Sequence, residues 1–126
     1  MKKLLAIATA LVFAATTSFA GEYPDISIDE LEKKIKDGKV TVIDVNGAKS
    51  YQKRHIPGAI AYSKDLKSKL PKDKDSLIVA YCGGPSCRAY QRAAKVAEKA
   101  GYTNVRHLSA GISGWLKAGK KTESAQ

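Results

Sequence analysis

Apolar positions along the chain follow two rhythms, and they alternate. In "PDISIDELEKKIKDG", Ile28, Leu31 and Ile35 fall on one helical face, and Ser27 with Glu30 forms a capping-box pattern. Gly38 marks the end of that helix. "KVTVIDV" is a β-branched run and predicts a buried strand. "NGAKSYQKRHIPGA" reads as loop, with one helical turn around Ser50 to Lys53, and "AIAY" as a second strand. "DLKSKL" predicts a short helix before Pro71, and "SLIVAY" is the clearest strand of the chain. In "RAYQRAAKVAEKAG", Ala89, Ala93, Val96, Ala97 and Ala100 make a stripe of small residues suited to close packing on a sheet, ended by Gly101. "NVRHL" predicts a last strand and "GISGWLKAG" a closing helix that carries Trp115. The tail "KKTESAQ" is polar and expected to fray. Strands alternating with helices predict an α/β domain: a mainly parallel sheet with helices on both faces, over residues 21–120, followed by a polar tail at 121–126.

The first twenty residues break this pattern. Lys2 and Lys3 precede the apolar "LLAIATALVFAA", and Ser18 and Ala20 occupy the small-residue positions of a cleavage site. The run is short for a bilayer span, and no second one follows. Residues 1–20 are therefore expected to be a cleaved signal peptide, placing the protein in the periplasm or outside the cell, without stable membrane insertion. Its removal takes two lysines and no acid from a chain of net charge +10. The remaining surface is basic and attracts anions. The lysines are scattered and lack a set of stacking aromatics, so nucleic acid is not an expected partner.

Both cysteines, Cys82 and Cys87, lie in the loop after the strongest strand, "YCGGPSCR". In parallel sheets the ligand site lies beyond the carboxyl ends of the strands, where Cys82 stands. Around the turn made by Pro85, Gly83, Gly84, Ser86 and Cys87 can turn their N–H groups inward, and Arg88 adds charge at the start of the following helix. A thiolate at Cys82 would be stabilised there, and the same cradle would hold an oxyanion. A Cys82–Cys87 disulfide without chemistry is the competing reading, favoured by export and an even cysteine count, although so short a loop makes a poor staple. The local pattern leaves both open. His55 and His107 show no paired spacing with the cysteines, so no structural metal site is expected.

Taken together, four stretches resemble the rhodanese family of sulfurtransferases: "VIDVNGAKSYQKRHIPGAI", "LIVAYC", "AAKVAEKAGYTNVRHL" and "SAGISGW". The resemblance runs from about Tyr23 to Ala118. It implies a five-stranded α/β domain in which Cys82, without a cofactor, takes sulfane sulfur as a persulfide and passes it to a thiol or cyanide. A small anionic donor, thiosulfate or polysulfide, and a thiol acceptor, small or protein-borne, are the partners it implies. The loop departs from the family's usual pattern. Cys87 stands at the sixth place, Arg88 at the seventh, and Asn46 where an arginine is frequent. Cys82 to Arg88 also reads as C-x5-R, as in cysteine phosphatases and arsenate reductases, but Tyr81 is not histidine and Ala89 is not serine or threonine. Sulfur transfer is the primary expectation. Phosphatase or arsenate chemistry, or a redox or sulfur-binding module with a Cys82–Cys87 bridge, are the alternatives. Asp44 is expected to orient loop backbone or a nearby cation, and His55 to fix the loop before Pro57. Cys87 is expected to act as a redox partner of Cys82. Trp115 and Ile112 are expected in the core.

Overall fold

The computed structural model describes residues 23–126; the expected signal peptide, Met1–Ala20, lies outside the described residues. Ser27 starts the first helix, α1 (Ile28–Lys36), where its hydroxyl accepts the Glu30 N–H at 3.1 Å. The reciprocal half of the expected capping box does not form. The Glu30 carboxylate instead takes both Arg106 amino groups, at 2.9 and 3.2 Å, and that hydrogen-bonded guanidinium holds the Glu30 carboxyl below its ordinary pKa.

The chain then builds β1 (Thr41–Asp44), α2 (Ala48–Lys53), β2 (Ile60–Ala61), a 3₁₀ turn (Leu66–Lys69), β3 (Ile78–Tyr81), α3 (Tyr90–Lys99), β4 (Val105–His107) and α4 (Gly111–Lys117). The strands pair in parallel in the order β2-β1-β3-β4, with Asp44 beside Tyr81 at the carboxyl ends of the two central strands. Alternation along the strands sends Ile43, Ile78 and Ala80 to the face covered by Ala93, Ala94 and Ala97 of α3. Val42, Val79 and Tyr81 go to the opposite face, under Leu31 of α1 and Trp115 of α4. Small side chains on α3 let that helix lie close to the sheet, as the alanine stripe predicts.

Two expectations need correction. The sheet has four strands among the described residues, not five. The segment before α1 reaches β4 but makes one parallel bridge, Asp25 to His107, flanked by His107 N–H to Pro24 O and Ile26 N–H to His107 O, both at 2.9 Å. Pro24 has no N–H to extend the ladder, and the helix cap begins at Ser27, so the fifth strand shrinks to a bridge. The tail is also pinned rather than frayed. His55 and Glu123 exchange both backbone hydrogen bonds at 2.9 Å, Ala125 N–H reaches Gln52 O at 3.0 Å, and the Trp115 indole N–H donates to Lys121 O at 2.7 Å. A buried indole needs an acceptor, and the tail backbone supplies it.

Candidate functional site

The strand order creates a crevice. The chain leaves β1 toward β2 on one side and leaves β3 toward β4 on the other, so the loops after β1 and β3 diverge at the carboxyl edge of the sheet. Cys82 follows β3 directly and is 3% exposed. Its loop is held from below by α4: the N–H groups of Ile112 and Ser113 donate to Cys82 O and Gly83 O, each at 3.0 Å. Gly111 makes this approach possible. Its φ is 62°, and a Cβ there would stand 2.5 Å from Gly84 N and 2.7 Å from Cys82 O. By contrast, neither Gly83 nor Gly84 takes a left-handed φ, and a Cβ on either would meet only ordinary contacts, Asn46 Oδ1 at 3.8 Å and Ser113 Cβ at 3.7 Å.

Cys82 and Cys87 are joined by a disulfide across a Cα–Cα distance of 6.2 Å. Within the loop the Cys87 N–H donates to Gly84 O at 3.0 Å. Pro85, Ser86 and Arg88 are exposed. The helix opens at Tyr90, two residues later than expected, with Ala89 at its cap position and no side chain capping it. Its first turn lies just beyond the cysteine loop, where the Gln91 and Arg92 N–H groups donate to Arg88 O and Ala89 O, each at 3.1 Å.

Asp44 and His55 are both buried. Asp44 is 2% exposed; one carboxylate oxygen accepts the Asn46 N–H at 2.8 Å and the other accepts the Tyr81 hydroxyl at 2.5 Å. The Tyr81 oxygen in turn accepts the Ile56 N–H at 3.0 Å. Burial first, and then the hydrogen bond to Asp44, push the Tyr81 phenol far above its ordinary pKa, so it is a neutral donor. His55 is buried, stacks on Tyr51 with ring centroids 3.9 Å apart, and donates from Nδ1 to Tyr51 O at 2.7 Å. Its Nε2 lies 3.8 Å from the Glu123 carboxylate. These contacts hold His55 against α2 and the C-terminal tail. His107 ends β4 and stacks on Tyr90 at 4.2 Å. Trp115 is in the core, and Ile112 packs against its edge. Among the described residues, no group of three or more His, Cys, Asp or Glu side chains is arranged to hold a metal ion.

The supporting contribution of Gly111 and Ser113 was not legible as site chemistry. Both lie far along the chain from the cysteines, and only the packing of α4 under the loop brings them there.

The profile of the family described as "Rhodanese-like domain" matches residues 27–118. An HTH-type transcriptional regulator of Mycobacterium tuberculosis is 39% identical over 94 residues, which is 71% of this chain and 40% of the regulator. A putative sulfur carrier protein of Bacillus subtilis is 25% identical over 101 residues, 76% of this chain and 52% of the carrier. The chain thus spans about half, or less, of these curated relatives. The crystal structure of a Bacillus halodurans protein is 30% identical and superposes with a TM-score of 0.70, covering 82% of this chain and 78% of that one.

Proposed function

The chain belongs to the rhodanese-like domain family, and from that premise we propose that it is a sulfurtransferase whose Cys82 carries sulfane sulfur as a persulfide. The observation that carries this reading is the position of Cys82. It follows a central strand at the crevice of the sheet, its backbone is held by α4, and the start of α3 lies just beyond its loop. The bridged form is the resting, oxidised one, and a dithiol reductant opens it. The Cys82 thiolate then attacks the outer sulfur of thiosulfate, and sulfite leaves with the electron pair of the broken S–S bond. Polysulfide serves in the same way, with a shortened polysulfide leaving. The backbone N–H groups of Gly83, Gly84, Ser86 and Arg88 and the Arg88 charge stabilise the departing anion. No histidine is required as a base, because the nucleophile is already ionised. With its signal peptide removed after Ala20, the protein works in the periplasm or outside the cell.

The disulfide favours a second reading, a sulfur-binding or redox module that keeps its Cys82–Cys87 bond and does not turn over. Mass spectrometry separates the two. Reduced protein incubated with thiosulfate or polysulfide is expected to gain one sulfur atom on the Cys82 peptide, and Cys82→Ala to gain none while remaining folded. No gain in the reduced wild type from either donor would leave the module as the reading.

A further inference from the structure

Between α2 and α4, beside the cysteine loop, an open cleft of about 440 Å³ is lined by Asn46, Ser50, Lys53, Arg54, Ser113 and two apolar side chains, Ile112 and Leu116. Three of these residues form the wall shared with the loop. Ile112 and Ser113 hold the Cys82 and Gly83 carbonyls, and Asn46 Oδ1 lies 3.8 Å from where a Gly83 Cβ would stand. Lys53 and Arg54 sit at the C-terminal end of α2, are exposed, and form no ion pair among the described residues. No acidic residue lines the cleft, and Leu116 is exposed at 36%. The volume lies in the range of small-molecule sites. Two cations without ion pairs among the described residues, two apolar side chains and the cysteine loop alongside suit a ligand that carries both carboxylates and a thiol.

We propose that the α2–α4 cleft is the acceptor subsite and takes a small thiol carrying carboxylate groups, which Lys53 and Arg54 hold. This rests on the Cys82 persulfide reading. The acceptor thiolate attacks the outer sulfur of the Cys82 persulfide and forms a new S–S bond to it. The bond between that sulfur and Cys82 Sγ breaks, its electron pair stays on Sγ as thiolate, and the proton stays on the transferred sulfur. Lys53 and Arg54 act on the acceptor's carboxylates, at a distance from its sulfur.

The test uses the full chain, reduced and loaded with sulfur, and follows single-turnover discharge of the persulfide. Glutathione is the anionic probe and 2-mercaptoethanol the neutral one. The double variant K53E/R54E is expected to need about tenfold more glutathione for half-maximal discharge, with the response to 2-mercaptoethanol unchanged. The variant K95E/K99E, with the same charge change on exposed α3 positions, is expected to behave as wild type toward both. Equal effects on the two thiols, or equal effects of the two variants, would overturn the assignment. Loading is read separately, as the mass of the Cys82 peptide, so its failure indicts the transfer reading and the acceptor role with it. Binding of S-methylglutathione, which keeps both carboxylates but cannot accept sulfur, is measured calorimetrically on the same proteins. Loss of binding in K53E/R54E alone supports the carboxylate site whatever the loading result; no binding to wild type sinks it.

Discussion

Tyr81 and Asp44 end neighbouring strands, and the hydroxyl between them accepts the Ile56 N–H while donating to the carboxylate. Tyr81→Phe removes one donor and one acceptor at once and leaves two buried groups unsatisfied, so it is expected to destabilise the fold by about 1–3 kcal/mol in urea titration. The same phenol gives a pH signature. Its folded pKa is raised, so its contribution is fully present below the unfolded value of about 10 and is lost as pH rises beyond it. Wild type should therefore lose stability more steeply than Tyr81→Phe above that pH. At Cys87 the expected effect is on chemistry. Bridging occupies the Cys82 sulfur, so Cys87→Ser should remain active, accumulate persulfide for longer, and lose its dependence on added reductant in donor assays. A Cys87→Ser protein that neither folds nor transfers would make the bridge structural.

At the scale of elements, the placement of the cysteine loop depends on α4 as much as on β3. Gly111→Ala would put a methyl group within 2.5–2.7 Å of three backbone atoms of the loop, at a left-handed φ that alanine adopts only with strain. Because the contacts are backbone, the loop itself must move. Loss of persulfide formation is expected, together with a destabilisation of about 1–3 kcal/mol, read by mass spectrometry and thermal melting. A Gly111→Ala protein that loads sulfur at the wild-type rate would show that the loop tolerates displacement from α4.

For the molecule as a whole, two apolar layers enclose the sheet, and Cys82 with Cys87 is a small part of one of them. The disulfide spans a sequence separation of 5, so it removes less unfolded-state entropy than a long-range crosslink. Reduction is expected to leave the protein folded, with a stability loss below about 3 kcal/mol, the figure for a considerably longer loop, measured by urea unfolding with and without dithiol. Cooperative unfolding on reduction alone would show that the two layers depend on the bridge. The pinned tail makes a different kind of contribution, since it closes the Trp115 indole and the backbone of the α2–β2 segment.

Much of this was legible from local pattern. The alternation of periodicities predicts the helices and parallel strands, and the run before Cys82 predicts that this residue stands at the carboxyl edge of the sheet, because both follow from residues near one another in sequence. Only the Ser27 half of the capping box forms, because the Glu30 side chain pairs with Arg106, a charge 76 residues away. A polar tail reads as frayed until its backbone meets the unpaired groups around His55 and Trp115. The α2–α4 cleft, the role of Gly111 and the four-strand limit of the sheet are likewise relations between distant segments. Hydrophobic period and turn chemistry determine which face each element buries. Only packing decides which backbone groups, charges and loops then come within hydrogen-bonding distance.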